Sequence, residues 1–206
     1  MFGPPARAIF TIGHSTRTLA EFLSLLEEHR IELLVDVRHF PGSRRVPWAT
    51  AAILARDLSS RGIGYVHLEA LGGFRKPRPD SPNMGWRTEA FRGYADHMAS
   101  PEFAAAFDRL LELAAGRRTA IMCAEAVPWK CHRSLLSDAL LARGVPVTHI
   151  LGTHSTQPHR MTTFAKVRGN RVGYPRRAGK LFKRPDVGQP EGRWPETFAT
   201  THLPAW

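Results

Sequence analysis

Residues 121–136, IMCAEAVPWKCHRSLL, contain the densest group of chemically reactive side chains in the sequence. An apolar run ends at Cys123 and Glu125, and a Cys-His-Arg triplet at 131–133 follows after a short loop. Thiols, carboxylates and imidazoles serve enzymes as nucleophiles, as general acids or bases, and as metal ligands. The segment therefore indicates an active site, a metal site, or a group of residues brought together by packing alone.

Cys131 lies at the predicted start of a helix, where free backbone N–H groups and the positive end of the helix dipole favour a thiolate. The neighbouring cations favour the same charge state, so we expect Cys131 to be more reactive than Cys123. The loop also has the character of an anion-binding site, with Arg133 binding a phosphate or a carboxylate. Glu125 would then act as a general acid or base, or would hold Arg133 in place.

Other arrangements of cysteine fit this segment less well. The loop of protein tyrosine phosphatases places an arginine six residues after its cysteine, but the sixth residue after Cys123 is Trp129. A structural zinc site favours closely spaced cysteine pairs, whereas Cys123 and Cys131 lie eight positions apart. The CxxC spacing of redox pairs is absent, and a disulfide is geometrically feasible but rare in the cytosol. A purely structural role for both thiols stays open.

Short apolar segments alternate with amphipathic helical patterns along most of the chain. The apolar segments read as strands covered on both faces, and they span residues 8–12, 32–37, 64–68, 119–123 and 145–151. Thr18 and Glu21 form a capping-box pattern at the start of the first helix. Because strands that alternate with helices pair in parallel through crossovers, we predict an α/β fold: a three-layer sandwich with a mostly parallel central sheet flanked by helices.

We expect this single α/β domain to span residues 1–167. Residues 168–184 contain seven basic residues and no acid, and residues 185–206 add four prolines. We interpret residues 168–206 as a basic, proline-rich C-terminal tail that is extended or partly ordered.

Ionisable or hydrogen-bonding residues end each predicted strand, at the edge where open parallel sheets bind ligands. Candidate catalytic residues at this edge are Asp36, Glu125 and His14. Candidate substrate- or phosphate-binding residues are Ser15, Arg38, Arg44, Lys130, Cys131, His132 and Arg133. Further cleft candidates are Cys123, Glu69, His149 and His154. Any one of them has a structural explanation, such as pairing of Asp36 with Arg38, but their grouping at one rim favours a shared site.

The overall composition restricts the class of protein. A chain of 206 residues can bury a core without disulfides, and its net charge of +11 with a pI near 10.7 favours nucleic acid or a nucleotide as partner. An arginine-rich genome would give the same charge balance. Two cysteines do not make a secreted disulfide framework, and no signal peptide or membrane-length apolar segment is found. We therefore expect a cytoplasmic protein that does not contact membranes.

Taken together, five segments resemble the domain of unknown function 488 (DUF488) family. They occur in the family's order over roughly residues 8–160, and they read TIGHSTRTLAEFLSLL, LLVDVRHFPGSRR, GIGYVHLEALGG, CAEAVPWKCHRSLLSDAL and VTHILGTHSTQPH. The resemblance implies a compact α/β domain in which GHS, DVR, CAE and CHR form a shared polar cluster. It implies no particular reaction.

Two functions of different classes fit these residues. The first is an enzyme that hydrolyses an N-glycosidic or phosphoester bond in a nucleotide or nucleic acid, with Asp36 or Glu125 as general base or stabilising carboxylate. Its bases would stack on Phe74, Trp86 or Trp129. The second is a non-catalytic module that binds a phosphate in the same loop, although unpaired carboxylates at the strand ends would repel that phosphate.

A metal-dependent hydrolase is the third hypothesis. Its ligands would come from His14, Asp36, His149, His154 and His159, but no HxH or HExxH spacing supports them. GxGxxG and Walker sequences are also absent, so no cofactor and no metal ligands are predicted.

Overall fold

The computed structural model describes residues 8–42 and 45–176, and its main sheet has six strands. They are β1 (Ile9–Gly13), β2 (Leu33–Asp36), β3 (Gly64–His67), β4 (Thr119–Cys123), β5 (Val147–Gly152) and β6 (Ser155–Pro158). The strand order is β3-β2-β4-β1-β5-β6, in which β1 to β5 are parallel and β6 runs antiparallel to β5. The predicted, mostly parallel sheet is confirmed.

Five α-helices connect or flank these strands: α1 (Leu19–Glu28), α2 (Ala51–Ser59), α3 (Glu89–His97), α4 (Pro101–Ala114) and α5 (Arg133–Ala142). The capping box predicted for α1 is present, because the Thr18 hydroxyl accepts the Glu21 N–H and the Glu21 carboxylate accepts the Thr18 N–H. Ser100 caps α4, and Pro101 occupies its first turn, where a missing N–H costs nothing. These local signals fix where the helices begin.

The helices form two layers, one on each face of the sheet. Helices α1 and α2 pack on the face that carries Phe10 and Ile12, whereas α3, α4 and α5 pack on the face that carries Ile9. Successive residues of a strand point to opposite faces, so each strand contributes to both cores. The three-layer sandwich predicted from the sequence is confirmed.

The carboxyl ends of the central strands coincide at one edge of the sheet. Gly13 at the end of β1 pairs with Cys123 at the end of β4, and Asp36 at the end of β2 pairs with Met122. Whatever follows these residues must therefore emerge side by side.

The described domain continues past the predicted boundary at residue 167. A hairpin of β7 (Lys166–Arg168) and β8 (Arg171–Gly173) leads to Tyr174, which is fully buried. The Tyr174 hydroxyl donates a hydrogen bond to Asp138 of α5 at 2.8 Å, and its N–H donates to Asn83 at 2.8 Å. The first part of the predicted tail thus belongs to the core, and residues 177–206 lie outside the described residues.

Within the described part of the chain, none of the helices has the length and apolar character needed to cross a membrane.

Candidate functional site

A cleft of about 540 Å³ opens at the edge where β1, β2 and β4 end. Seven of the candidate catalytic, binding and cleft residues line it: His14, Arg38, Cys123, Glu125, Lys130, Cys131 and His132. These seven residues reach the cleft from three separate strand ends and from the loop that leads into α5. Phe74, named from the sequence as a base-stacking candidate, also lines it.

Asp36 lies beneath this cleft and binds Arg38. The Asp36 carboxylate accepts hydrogen bonds from Arg38 Nη2 at 2.6 Å, from Arg38 Nε at 2.9 Å and from the Tyr65 hydroxyl at 2.8 Å. Burial alone would lower the pKa of Arg38, but the hydrogen bonds to Asp36, the charge of Asp36 and the contact with Tyr65 together outweigh burial and raise that pKa. Because Asp36 is fully buried and bound on both oxygens, its geometry suits positioning of Arg38 and not proton transfer in the cleft.

His14 lines the cleft as a neutral imidazole. Its Nδ1 lies 3.0 Å from the Ser15 carbonyl and donates to it, and its Nε2 lies 3.4 Å from Arg38 Nη1 and accepts from it. Burial lowers the pKa of His14, and the adjacent Arg38 cation lowers it further. Ser15, predicted to bind substrate, contributes backbone groups here: its N–H donates to the Ala124 carbonyl at 2.8 Å.

Two thiols and one imidazole meet at the inner end of the cleft. His132 Nδ1 lies 3.9 Å from Cys123 Sγ and 3.7 Å from Cys131 Sγ, and all three atoms lie within 4.8 Å of one another. A hydrogen bond from Cys123, with His132 and Arg133 nearby, lowers the pKa of the Cys131 thiol well below its usual range. Sharing that hydrogen bond, together with burial, raises the pKa of Cys123. Within the described chain, these are the residues whose donor atoms are placed to share one metal ion.

Arg133 is buried behind the cleft and does not line it. Its guanidinium donates to the Glu125 carbonyl through Nη2 and lies 3.4 Å from Thr11 Oγ1 through Nη1, while its buried Nε has no hydrogen-bond partner among the described residues. No carboxylate of the described chain forms an ion pair with it. The predicted role of Arg133 as an anion clamp is therefore replaced, in this geometry, by a role in holding the backbone at Glu125.

Gly13 allows the loop at Glu125 to pass close to β1. A Cβ atom added at Gly13 would lie 1.8 Å from the Glu125 carbonyl oxygen, closer than any two such atoms can approach. The glycine of the GHS segment therefore brings the β1 end and the β4 end into direct backbone contact, with the His14 N–H donating to the Cys123 carbonyl at 3.0 Å.

His149 belongs to a separate buried network on the α5 side of the sheet. The Thr11 hydroxyl lies 2.8 Å from His149 Nδ1, His149 Nε2 lies 3.0 Å from His159 Nδ1, and His159 Nε2 lies 3.0 Å from Asp138. Because the Asp138 carboxylate can only accept, His159 donates to Asp138, His149 donates to His159, and the Thr11 hydroxyl donates to His149. Burial, with His159 and Arg133 close by, lowers the pKa of His149 to about 3, so the ring is neutral.

The remaining candidates among the described residues do not line the cleft. Glu69 is exposed and pairs with His39 at 3.5 Å, and His154 is exposed at the β5–β6 turn, 2.9 Å from Glu28. Trp86 and Trp129 line a smaller cavity of about 200 Å³ that also contains His149 and His159. Arg44 lies outside the described residues.

Phe40, which was not among the residues predicted from the sequence, forms an aromatic pair with Phe74 at the edge of the cleft. The two rings are 65% and 84% exposed, and their centroids lie 5.9 Å apart. The signal was present in the sequence, because Phe40 directly follows the polar end of β2 and Phe74 follows two glycines. An aromatic residue in such a position is not needed for the core.

Comparison with known proteins gives one finding. A family model described as "Domain of unknown function DUF488" matches residues 18–140, which include Arg38 and the whole Cys123–Arg133 segment but not His14 or His149. No curated protein and no solved structure matches the chain.

Proposed function

The chain belongs to the DUF488 family, whose description assigns no reaction, and we propose that its cleft is the active site of an enzyme acting on a nucleotide or nucleic acid. The reaction is hydrolysis of an N-glycosidic or a phosphoester bond. The cleft supports this proposal by combining an aromatic edge, exposed or anchored cations and one accessible carboxylate.

The observation that carries the proposal is the aromatic pair at the edge of the cleft. Exposing large apolar rings to water is unfavourable, yet the rings of Phe40 and Phe74 are both exposed beside the cavity of about 540 Å³. Nucleobases stack on such rings whatever their identity. Lys130, which is exposed on the same cleft, is placed to bind a phosphate of the stacked nucleotide.

Glu125 is the carboxylate available for chemistry in this cleft. It is exposed and lines the cleft, whereas Asp36 is buried and bound to Arg38. As a general base, Glu125 takes a proton from water while the water oxygen forms a bond to the sugar carbon or the phosphorus. The bond to the leaving group breaks with its electron pair, and the leaving group takes a proton from solvent.

The isosteric variant Glu125→Gln tests this role. A screen of nucleotides and oligonucleotides for hydrolysis is expected to find turnover in the natural protein and a loss of about 10²–10⁴-fold in Glu125→Gln, the usual range for a general acid or base. Substrate binding is expected to persist. Glu69→Gln is the matched control, because Glu69 is an exposed carboxylate that does not line the cleft. Equal rates for the natural protein and Glu125→Gln would contradict the proposal.

Removal of either ring tests the stacking platform. A stacked base contributes about 1–3 kcal/mol, so Phe40→Ala and Phe74→Ala should each weaken nucleotide binding by about 5–150-fold in calorimetric titrations. Trp129→Ala is the control, since Trp129 is also an exposed aromatic residue but lines the other cavity. If Trp129→Ala weakened binding and the two phenylalanine variants did not, the base would lie elsewhere.

A non-catalytic phosphate-binding module is the second candidate, and the cations around the cleft favour it. In such a module Glu125 would only repel the ligand. Glu125→Gln would then bind nucleotides more tightly, and the natural protein would show no turnover.

A further inference from the structure

We propose that Cys123, Cys131 and His132 bind a divalent metal ion of the zinc type, with a fourth coordination position open to the cleft. Thiolate and imidazole ligands together select such ions over Mg²⁺ or Ca²⁺, which prefer oxygen. Binding of the ion does not depend on which substrate, if any, the cleft accepts.

The two sulfur–nitrogen distances fit the geometry of one tetrahedral ion. With Zn–S bonds of about 2.3 Å and Zn–N bonds of about 2.0–2.1 Å, a tetrahedral site separates a sulfur from a nitrogen by about 3.6 Å. The observed separations from His132 Nδ1 are 3.7 Å to Cys131 Sγ and 3.9 Å to Cys123 Sγ. Both sulfur–nitrogen separations are therefore within a few tenths of an ångström of the tetrahedral value, and all three donor atoms lie within 4.8 Å of one another.

The groups around the three donors also resemble those around metal ligands. His132 Nε2 lies 3.1 Å from the Val37 carbonyl and donates to it, which turns the Nδ1 lone pair towards the two sulfurs. Metal-binding histidines commonly make this second hydrogen bond to a carbonyl or carboxylate. The Arg133 N–H points at Cys131 Sγ from 3.5 Å, and its buried guanidinium favours the anionic thiolates that a metal requires.

One side of the site is left open towards the cleft. All three residues line it, and Gly73 lies against the imidazole on that side. A Cβ atom added at Gly73 would lie 3.0 Å from His132 Nδ1, so the bare backbone leaves room beside the ligand atom. Zinc held by three protein ligands with an open position is the arrangement of catalytic sites, where it polarises a water or a substrate oxygen.

Two simpler explanations account for fewer of these contacts. A disulfide would use both sulfurs but would leave the orientation of His132 without a reason. A nucleophile pair of Cys131 and His132 would not explain why Cys123 lies beside them. The histidines suggested as ligands by the sequence are engaged elsewhere, with His149 bound to His159 and His14 bound to Arg38. Cys123 and Cys131 lie eight positions apart in sequence, but the end of β4 and the segment that leads into α5 are adjacent in space, which brings the two sulfurs together.

Cobalt provides the first test, because its spectrum reports on its ligands. Full-length protein made without a histidine tag, reduced and stripped of metal, is titrated with Co(II). One ion per chain should give the visible bands of tetrahedral cobalt and a thiolate-to-cobalt charge-transfer band in the near ultraviolet, and Zn(II) should displace it. The chain has two cysteines, so zinc should protect both from a thiol reagent. Absence of the charge-transfer band would overturn the proposal.

Three variants locate the site. Cys123→Ser, Cys131→Ser and His132→Gln should each lower the affinity for zinc by about a hundredfold or more, since even changes outside the ligand set cost about 10–100-fold. His154→Gln, at an exposed histidine away from the cleft, should bind zinc normally. Unchanged affinity in His132→Gln would overturn the assignment.

A measurement on the natural protein covers the case in which a variant does not fold. X-ray absorption at the zinc edge should show two sulfur neighbours and one imidazole, whereas a shell of nitrogen and oxygen alone would refute the site. Glu125→Gln separates this inference from the proposed function, because it should lose hydrolysis while it keeps the cobalt spectrum. Hydrolysis without metal binding would refute the metal site alone, and metal binding without hydrolysis would refute the proposed reaction alone.

Discussion

The carboxylate of Asp36 binds the guanidinium of Arg38 at two nitrogens, Nη2 at 2.6 Å and Nε at 2.9 Å, and both side chains are buried. The two residues lie two positions apart, so the end of β2 provides both the Arg38 cation that lines the cleft and the Asp36 carboxylate that neutralises it. This pair fixes Arg38 beside His14 and leaves Glu125 as the carboxylate that faces the cavity.

Asp36→Asn should destabilise the protein strongly. It leaves the Arg38 cation buried without its counterion, which costs about 3–5 kcal/mol when one partner of a buried pair is removed. Urea denaturation followed by circular dichroism measures the change in the free energy of unfolding. Asp80→Asn is the control, since the Arg78–Asp80 pair is exposed and should contribute little. A similar, small effect of both changes would mean that the buried pair is not needed for stability.

Gly13→Ala should disrupt the cleft, because its Cβ atom would meet the Glu125 carbonyl at 1.8 Å and must displace the β4–α5 loop. We expect a lower melting temperature and loss of metal and nucleotide binding together. Gly152→Ala, at the end of the neighbouring strand β5, meets its nearest atom at an ordinary 3.9 Å and should behave like the natural protein. If Gly13→Ala kept its binding, the contact between the two strand ends would not shape the cleft.

His149 should make the protein less stable in acid. Burial lowers its pKa from 6.5 to about 3, so between these pH values the unfolded chain takes up a proton that the folded protein does not. Above about pH 6.5, His149 is neutral in both states and does not reduce the free energy of unfolding. As the pH falls from 6.5 towards 3, the unfolded state is increasingly favoured and the free energy of unfolding decreases. In urea denaturation at pH 7 and pH 4.5, His149→Gln should show a smaller drop in unfolding free energy than the natural protein. His154→Gln, at an exposed histidine, should keep the natural drop; equal drops in all three would remove His149 as the cause.

The basic residues after the described domain should contribute to nucleic-acid binding through salt-dependent interactions with phosphates. Replacing Arg177, Lys180, Lys183 and Arg184 with glutamine removes four positive charges. For each phosphate that these side chains no longer neutralise, the slope of log K against log salt concentration should flatten by about 0.7–0.9. Truncation at residue 167 would be unsuitable, because Tyr174 lies in the core.

The control for this charge change replaces the same number of arginines that are already ion-paired within the domain. Fluorescence anisotropy with a labelled oligonucleotide at several salt concentrations gives the slopes for both variants. The control residues are Arg56, Arg61, Arg92 and Arg109. Identical slopes in the two variants would mean that the effect follows net charge and not the basic segment.

Local patterns in the sequence were sufficient for the five parallel strands and for the edge of the sheet at which the site lies, but they did not predict β6 or the β7–β8 hairpin. The apolar run TAIMC corresponds to β4 residue for residue, and the Thr18–Glu21 box starts α1, because these features depend on neighbours a few positions away. Polar residues that end parallel strands must meet at one edge, so the grouping of His14, Arg38 and Glu125 followed from the fold class.

The pairing of Asp36 with Arg38 could be foreseen because the two residues are close in sequence, but partners from distant parts of the chain could not be predicted. Asp36 is closed off by Tyr65, which lies 29 positions away, and His149 is bound to Thr11 across 138 positions. Both were chosen as cleft residues because they end strands, yet one is buried under Arg38 and the other lies in the network on the α5 side. The Cys123–Cys131–His132 cluster likewise depends on how the β4–α5 loop folds back.

At Phe74, the residue that would best stabilise the fold differs from the one that the proposed stacking surface needs. Its backbone has a positive φ of 61°, a conformation that costs roughly 1–2 kcal/mol for a residue with a side chain, and its ring is left in water. Glycine would remove the backbone cost and the exposed ring at once. A library selected for heat resistance alone should therefore enrich Phe74→Gly, and in doing so it would discard the surface on which we place the base. For anyone engineering this chain, thermostability is a misleading guide at this position.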